Sequence, residues 1–460
     1  MPDKLIRFLQ IQSASCRYIS FPRTKEFSLA LLFWLCKKIQ QQSQSRLFIM
    51  KTLANSWHLA LGISQETLPS KFRAMVVPFA QATKLDWAPA FHLCITSKAI
   101  SIELAPDCVA TKIPASFKEV AAIFQQLTTT SEVNFNATAD LGRYNFPSNL
   151  LLKPSYPEFK EKIELFTKPN SKANHSSLKK VVFSRSLVVS LKNTIADPAL
   201  AIWHLALKEA QTLNPETYFF GYKGLDNDPE PFTDGFVSYT PETLFTCHKR
   251  TLTTEALAGS ALPAEAQALI KDPKNLQENE VVKQSIVDEL SPLCTSISTK
   301  PPRIRALSYI SHISTTILGT LGPNTSWLQI IHSLFPSPAI AGFPRPEALD
   351  FIHRHNQIPR GLFAGTCGFV EGGNATFAVL LRCATISSST ITILAGAGIM
   401  PASEPQEEWH ETAHKMYPVL KNLWPQEASN LLQFVKNTGL APEKTDRKGL
   451  IFFYDRKQQY

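Results

Sequence analysis

The side chains best suited to chemistry lie towards the C-terminal end of the chain, on a predicted helix behind a glycine-containing segment. Glu408, Glu411 and Lys415 are spaced three and four residues apart, so they share one helix face. Before this helix, the segment Leu394–Ile399 reads Leu-Ala-Gly-Ala-Gly-Ile, which predicts a turn whose backbone N–H groups face an anion. Two carboxylates beside an ammonium group suit a hard cation that holds a carboxylate-bearing substrate.

Three more ionisable residues lie at the ends of apolar segments or helices upstream. Lys180 opens an apolar strand, where a lysine deprived of water can act as a base, although a solvated strand end is the commoner role. Glu242 precedes another apolar run, and a surface glutamate is its simplest interpretation. Glu278 lies near the start of a predicted helix. It gains significance because a Mg²⁺ site needs carboxylates from separate elements, and Glu411 offers the other one.

Three polar residues lie in segments that are otherwise small or apolar. Ser260 ends the segment Thr-Glu-Ala-Leu-Ala-Gly-Ser, whose small residues allow either close approach of a ligand or a tight turn. His312 lies in an apolar segment, where a hydrogen-bonded core histidine is the commoner interpretation. Arg382 ends an apolar strand, and a buried guanidinium at that position needs a partner such as a carboxylate.

Short strands and helices must position these residues. Their mixture lacks strict βαβ alternation and therefore predicts an α+β fold. The predicted strands are Ala74–Phe79, Ala99–Leu104, Lys180–Phe183, Phe377–Arg382 and Ile391–Leu394, and the predicted helices are Ser116–Leu127, Glu278–Leu290 and Pro346–His355.

Composition argues against several classes of protein. The 460 residues are 44% hydrophobic, enough for a large core, and no run of about 18 apolar residues predicts a membrane span. The eight cysteines form no CxxC pair, so we interpret them as reduced residues of an intracellular, cytoplasmic protein. The net charge of +9 is concentrated in residues 1–49, and no basic stripe with interleaved aromatic residues follows. We therefore expect no binding to nucleic acid.

The uneven charge also suggests divisions of the chain. Residues 1–49 are predicted to be a basic extension, which could precede a true start at Met50, direct the protein to an organelle, or anchor it at a membrane interface. Residues 50–165 are predicted to form a variable N-terminal part of the fold. Residues 170–425 are predicted to form the catalytic core, and residues 426–460 a polar, helix-compatible tail.

Nine short motifs, taken in order, resemble the chorismate-binding enzymes, a family related to anthranilate synthase component I. The resemblance covers roughly residues 170–425, and within the family the motifs are most similar to those of isochorismate synthases. The motifs are Lys-Val-Val at 180–182, Thr-Pro-Glu at 240–242, Thr-Glu-Ala-Leu-Ala-Gly-Ser at 254–260, Asn-Leu-Gln-Glu-Asn-Glu-Val-Val at 275–282, Pro-Ser-Pro-Ala-Ile-Ala-Gly at 336–342, Pro-Arg-Gly-Leu-Phe-Ala-Gly at 359–365, Arg-Cys-Ala at 382–384, Gly-Ala-Gly-Ile at 396–399 and Glu-Glu-Trp-His-Glu-Thr at 407–412.

The resemblance implies one large α+β unit of antiparallel sheets flanked by helices, and Mg²⁺-dependent isomerisation of chorismate to isochorismate. In that reaction water attacks ring C2, the double bonds shift and the C4 hydroxyl leaves. Lys180 is the implied base and Glu242 the implied acid, since burial disfavours the charged forms of both. The implied Mg²⁺ ligands are Glu278 and Glu411, with Glu408 beside them. The implied substrate-binding residues are Arg382, Gly396, Gly398, Lys415, Ser260, His312, Ala339 and Ile340.

Related activities differ from this one at single positions. Ala258 stands where aminodeoxychorismate synthases have a nucleophilic lysine, and anthranilate synthases tend to lack the Thr-Glu-Ala-Leu pattern. Phe335 replaces the histidine that is common in isochorismate synthases. The alternatives are a salicylate synthase, which goes on to eliminate pyruvate, and a catalytically weakened binding protein. The product could feed menaquinone, siderophore or salicylate synthesis, and we expect a monomer or homodimer.

Overall fold

The computed structural model of the protein describes most of the chain from residue 147 to 439 and part of the N-terminal region. The predicted helix Ser116–Leu127 and the tail beyond residue 439 lie outside the described residues. The described ranges are 18–22, 46–54, 56–62, 72–79, 85–87, 91–95, 99–104, 147–168, 177–195, 197–212, 215–224, 234–355 and 358–439.

The described residues form 21 strands. In chain order they are β1 Tyr18–Pro22, β2 Arg46–Lys51, β3 Trp57–Gly62, β4 Phe72–Val77, β5 Leu85–Trp87, β6 Phe91–Ile95, β7 Ala99–Leu104, β8 Pro147–Lys153, β9 Lys180–Leu191, β10 Tyr218–Lys223, β11 Gly235–Thr240, β12 Thr243–His248, β13 Thr251–Ala261, β14 Cys294–Thr299, β15 Arg303–Arg305, β16 Ser311–Leu321, β17 Gly342–Phe343, β18 Thr366–Glu371, β19 Asn374–Val379, β20 Cys383–Ile386 and β21 Thr390–Ile399.

Eight α-helices and one short 3₁₀-helix, Pro263–Glu265, occur in the same described part of the chain. None of these helices is long and apolar enough to cross a membrane. The α-helices are α1 Tyr156–Thr167, α2 Pro198–Thr212, α3 Ala266–Leu269, α4 Pro273–Leu290, α5 Trp327–Leu334, α6 Arg345–His355, α7 Pro405–Leu423 and α8 Ala428–Asn437.

The strands form two antiparallel sheets. The first has 12 strands in the order β1-β7-β6-β3-β2-β10-β11-β20-β21-β9-β17, with β8 also paired to β9. The second has nine strands in the order β14-β16-β13-β12-β19-β18-β4-β5, with β15 also paired to β16. Antiparallel sheets flanked by helices confirm the predicted α+β class.

Strand β9 is the 12-residue strand that brings Lys180 into the first sheet. Its apolar and β-branched run favours a buried strand, and its first eight residues are all buried. Strand β21 pairs along one edge of β9, so that Gly396 lies opposite Ser184 and Gly398 lies opposite Val182. The turn predicted at Leu394–Ile399 is therefore wrong, because strand pairing with a segment some 200 residues away along the chain extends both glycines.

The N-terminal boundary predicted at residue 49 also needs correction. Strand β2, Arg46–Lys51, lies between β3 and β10 in the first sheet, and its residues Leu47, Phe48 and Ile49 are fully buried. Strand β1, Tyr18–Pro22, pairs with β7 in the same sheet. Residues from the predicted extension thus supply strands to the fold, and the boundary falls inside a core strand.

Alternation along the strands divides the core between the two faces of the first sheet. In β2, Leu47 and Ile49 pack in one hydrophobic cluster with helices α2, α7 and α8. Phe48 and Met50 point the other way, into a second cluster that includes strands of the second sheet and helices α4 and α5. The first sheet is therefore covered by helices on one face and by the second sheet on the other.

Helix α8 corrects the interpretation of the residues after 425 as a tail, because it belongs to the core. Its residues Leu431 and Val435 are buried in the cluster that α7 shares. The guanidinium of Arg185, on β9, donates to the carbonyl oxygens of Val435 in α8 (3.3 Å) and Trp409 in α7 (2.7 Å). Strand β9 and the two C-terminal helices are thereby tied together.

Helix α4 is tied to the second sheet by one buried amide. Asp272 caps its N-terminus by accepting from the backbone N–H of Asn275 (3.0 Å), and Pro273 follows at the first turn. Asn279 lies one turn into the helix and donates to the carbonyl oxygens of Ala256 (3.0 Å) and Ile313 (3.0 Å), on β13 and β16. This contact fixes the helix position, and with it the neighbouring Glu278.

We expect Asn279→Ala to lower the free energy of unfolding by about 2–4 kcal/mol, because it leaves buried carbonyl groups without their donor. Urea denaturation followed by circular dichroism measures the change. Gln284→Ala is the matched control, since Gln284 is exposed on the same helix and bonds only to Asp288 (2.8 Å). A loss below about 0.5 kcal/mol for the Asn279 variant, equal to that expected at the control position, would contradict the role given to this amide.

Candidate active site

The predicted site residues converge on one cavity. Eleven of the twelve residues expected to form the site line it, and Glu411 lines an adjoining cavity. The eleven are Lys180, Glu242, Ser260, Glu278, His312, Ala339, Ile340, Arg382, Gly396, Gly398 and Lys415. Residues from both sheets, two helices and the intervening loops therefore meet around one space.

A buried ion pair crosses the cavity wall. Lys180, the first residue of β9, places its Nζ 2.7 Å from Oε1 of Glu278 on α4, and the two side chains are 1% and 13% exposed. Gly398 makes room for the pair, since a Cβ there would lie 2.6 Å from that carboxylate oxygen and 2.7 Å from Cε of Lys180. The glycine at position 398 therefore permits the close approach of these two side-chain ends, which a Cβ would displace, and it does not form a turn.

Glu242 lies between β11 and β12, in a setting unlike that of Glu278. It is 7% exposed, and its backbone is held by hydrogen bonds to Thr240 and Val379. Burial raises the pKa of Glu242 to about 7, and the negative charge of Glu255 adds to the rise, while Lys180 and other nearby cations oppose it. A carboxyl group with this pKa can donate a proton at neutral pH.

Arg382, His312 and Ser260 form a hydrogen-bonded row. Arg382 lies between strands with a φ of 48°, not at the end of the strand predicted at Phe377–Arg382, which ends at Val379. Its Nη2 lies 3.0 Å from Nε2 of His312, and Nδ1 of His312 lies 3.0 Å from Oγ of Ser260. Since a guanidinium only donates, Nε2 accepts, and a neutral imidazole then carries its proton on Nδ1 and donates to Ser260.

The charges of this row follow from its burial. Burial, followed by the repulsion of Arg382, holds the pKa of His312 well below its usual range, which agrees with the neutral form. Burial also lowers the pKa of Arg382 to about 10, a value at which the guanidinium still carries its charge at neutral pH. The row therefore presents one fixed positive charge to the cavity, with no carboxylate within ion-pair distance of it among the described residues.

Carboxylates and lysines alternate where the two cavities adjoin. Nζ of Lys415 lies 2.6 Å from Oε1 of Glu411, and Nζ of Lys274 lies 3.2 Å from Oε1 of Glu408. Burial raises the pKa of Glu408 to about 7, and the charges of Glu411 and Glu278 raise it further against the opposing effect of Lys274. Burial lowers the pKa of Lys415, but the neighbouring Glu411 outweighs this and leaves a net rise.

This cluster matches a hard cation by donor type. Glu278, Glu408 and Glu411 come from two helices, and the charges of Glu411 and Glu278 add to the effect of burial in raising the pKa of Glu408. A divalent cation would relieve that repulsion, because carboxylates are the ligands that Mg²⁺ prefers. In the part of the chain that the structure describes, no three acidic, histidine or cysteine side chains are gathered at metal-binding distance, and Glu278 and Glu411 are each paired with a lysine.

The backbone of β21 turns its open edge towards the cavity. The N–H of Val182 donates to Ala341 (3.0 Å), away from β21, so Val182 and Gly398 form a non-hydrogen-bonded pair. The N–H and C=O of Gly398, and by the two-residue period those of Gly396, therefore point away from β9. Nζ of Lys415 donates to the carbonyl oxygen of Gly396 (3.0 Å), in agreement. The expected N–H groups thus face the cavity, but from a strand edge.

Sequence reasoning missed the apolar wall of the cavity and the charges behind it. Seven of the nine missed wall residues lie within motifs noted in the sequence and two lie next to one, but the motifs do not reveal which of their residues face the cavity. The missed wall residues are Val182, Pro241, Leu257, Ala258, Gly259, Phe363, Ala364, Leu381 and Ala395. Glu255 and Arg305, which act on Glu242 through their charge, carry no sequence signal of that role.

Comparison with known sequences agrees with the fold and the cavity. Residues 89–424 match the family described as "Chorismate binding enzyme". The vibriobactin-specific isochorismate synthase of Vibrio cholerae is 30% identical over 305 residues, which cover 64% of this chain and 73% of that protein. Isochorismate synthase MenF of Escherichia coli is 31% identical over 261 residues, covering 55% and 57%, and a chloroplastic isochorismate synthase of Catharanthus roseus is 34% identical over 196 residues, covering 40% and 34%. The chain thus spans little more than half the length of the second relative and about a third of the last.

Solved structures share the architecture. MenF, the menaquinone-specific isochorismate synthase from Escherichia coli, superposes with a TM-score of 0.72 at 22% identity, covering 92% of this chain and all of that one. Anthranilate synthase component I from Streptococcus pneumoniae superposes with a TM-score of 0.58 at 16% identity, covering 89% and 92%. The match to residues 89–424 extends over most of the sequence, and this chain belongs to the chorismate-binding enzymes.

Proposed function

We propose that this protein is an isochorismate synthase, which converts chorismate to isochorismate. The observation that carries the proposal is that a buried lysine, Lys180, and a buried glutamate, Glu242, line the same cavity, and that the pKa of Glu242 is about 7. Isomerisation by water addition and hydroxyl loss needs one group that accepts a proton and one that donates it. Named isochorismate synthases among the relatives support the same activity.

In the proposed reaction, Lys180 acts as a neutral amine, after the ammonium group that pairs with Glu278 has given up a proton. The amine takes a proton from water as the oxygen of that water bonds to ring C2. The double bonds shift, and Glu242 gives its proton to the C4 hydroxyl as the C–O bond breaks and water leaves. One water enters and one departs, so substrate and product are isomers. Because both groups line the same cavity, the proton gained by Lys180 can return to Glu242 through solvent before the next turnover.

The substrate is a dianion, and the cavity contains cations and N–H groups that can bind it. We propose that Arg382 and Lys415 pair with its carboxylates, that the N–H groups of Gly396 and Gly398 donate to them, and that Ser260 donates its hydroxyl hydrogen. Ala339 and Ile340, with Phe363 and Leu257, provide the apolar wall against the ring. Among the described residues, no carboxylate lies within ion-pair distance of Arg382, so its positive charge is available to the substrate.

We further propose that Glu278 and Glu411 hold Mg²⁺, with Glu408 beside them. The bound ion would supply positive charge for the ring carboxylate of the substrate and neutralise the clustered carboxylates. Lys274 and Lys415 balance part of the same negative charge in its absence.

Turnover of chorismate in the presence of Mg²⁺ tests the activity directly. We expect isochorismate as the sole product, separated by liquid chromatography, with loss of activity on adding EDTA and recovery on adding excess Mg²⁺. Glu411→Gln should raise the Mg²⁺ concentration needed for half-maximal rate, because it removes one anionic ligand. Salicylate with pyruvate would instead identify a salicylate synthase. Chorismate binding without turnover would identify a binding protein.

Glu242→Gln should lower kcat by about 10²–10⁴-fold while chorismate still binds, because an amide keeps the shape but cannot protonate the leaving hydroxyl. In the unaltered protein, the rate should fall as pH rises through about 7, since Glu242 acts only while it is protonated. Steady-state rates and calorimetric binding measure both effects. Glu280→Gln is the control, because Glu280 is exposed and pairs only with Lys283 (2.6 Å). Unchanged turnover in the Glu242 variant would rule out the acid role.

Gly398→Ala should lower kcat by about 100-fold without unfolding the protein, because a Cβ at this position displaces Lys180 and Glu278. Rates and thermal melting curves measure the two effects. Gly322→Ala is the control, since Gly322 does not line the cavity and a Cβ there would come no closer to another residue than 3.1 Å, to the hydroxyl oxygen of Thr325. Equal activity of the two variants would show that the position of this ion pair does not matter for turnover.

A further inference from the structure

A second cavity lies behind Glu242 and contains a buried ion pair that the proposed reaction does not use. This cavity shares no lining residue with the active-site cavity. Its charged residues include Glu255 on β13 and Arg305 on β15, whose side chains are 11% and 16% exposed. A pair this well shielded from solvent acts on its surroundings more strongly than a surface pair does.

Both oxygens of the Glu255 carboxylate are held in place. Oε1 lies 2.5 Å from Nη1 of Arg305, and Oε2 accepts from the hydroxyl of Ser314 at 2.8 Å. Arg305 is held in turn, because its Nη2 donates to the carbonyl oxygen of Glu216 (3.1 Å). Arg305 also lies opposite His312 in the β15–β16 pairing. The negative charge therefore has a fixed position close to the active-site wall.

The chain passes from one cavity to the other at Glu242. Glu242 lines the active site, while the next residue, Thr243, lines the second cavity and bonds to the hydroxyl of Tyr218 (2.9 Å). Strands β12 and β13 remain adjacent there, because the hydroxyl of Thr254 donates to the carbonyl oxygen of Leu244 (2.6 Å). Glu255 follows Thr254, so its carboxylate is fixed on the strand beside the one that Glu242 precedes.

Charged side chains on four elements act on Glu242, and three of them are positive while one is negative. Lys180 on β9, Lys415 on α7 and Arg305 on β15 all lower the pKa of Glu242. Glu255 raises the pKa of Glu242, second only to burial. Arg382, before β20, also feels the charge of Glu242, while His312 on β16 is neutral.

We propose that Glu255 is a positioning residue for the acid Glu242. Its fixed negative charge, which Arg305 partly offsets, keeps the Glu242 carboxyl group protonated between turnovers despite two lysines in the same cavity. The proposal rests on the proposed function, since it assigns Glu255 a role through Glu242. The simpler alternative is a structural tie, in which the ion pair only fastens the short strand β15 to β13 and has no effect on proton transfer.

The two explanations differ in the pH dependence of turnover. Glu255→Gln keeps the shape of the side chain and removes its charge, so the alkaline fall in kcat should move to lower pH by about one unit. At a pH on that falling limb the variant should then be about tenfold slower than the unaltered protein. Arg305→Gln leaves Glu255 charged and unpaired, and removes a cation that acts on Glu242, so the fall should move to higher pH. The double variant should lie between them.

Glu289→Gln is the matched control. Glu289 also pairs with an arginine, Arg345, at a distance of 2.9 Å, and neither residue lines the second cavity. Its pH profile should equal that of the unaltered protein, and melting curves identify any variant that fails to fold. Shifts in opposite directions for the two single variants support the proposal. Alkaline limbs that stay in place, or that move in the same direction for both, would overturn it. Failure of the proposed function is seen separately, as absence of chorismate turnover in the unaltered protein.

Discussion

The ion pair between Lys180 and Glu278 is the contact on which the arrangement of the site depends. Lys180 belongs to the first sheet and Glu278 to helix α4, which packs on the second sheet, so the pair joins the two halves of the cavity wall. Two charges withdrawn from water at this depth are tolerated only if each partner stays in place. The absent side chain of Gly398 is what allows that approach.

Neutral carbonyl groups, rather than further carboxylates, hold the surrounding elements in register. Arg360 donates to the carbonyl oxygens of Ile340 (2.9 Å) and Val182 (2.6 Å), two residues that line the cavity. Arg185 plays the same part between β9 and two helices, α8 and the helix α7 that carries Glu408 and Glu411. Because these guanidinium groups bind carbonyl oxygens, they hold the elements of the site together without pairing with its acidic residues.

Local sequence predicted much of this architecture, and the errors have physical causes. The apolar runs at Lys180–Phe183 and Ala99–Leu104 indicated strands because a buried strand needs little more than such a run. The turn predicted at Gly396 and Gly398 is wrong because the sequence does not distinguish a glycine that permits close packing from a glycine that forms a turn. Residues 46–49 of strand β2 fall in the predicted extension because charge composition is visible in the local sequence, whereas the pairing of β2 with β10 is not.

The partners that determine chemistry could not be read from local sequence, and the two glutamates of the cavity show why. Glu278 accepts a hydrogen bond from Lys180, 98 residues away along the chain. Glu242 has no ammonium or guanidinium group within ion-pair distance among the described residues, and burial beside Glu255 raises its pKa to about 7. The same side chain is thus suited to hold a cation in one place and to give up a proton in the other. The division of roles follows from which cation the fold brings within 3 Å, and this depends on how two sheets and a helix pack.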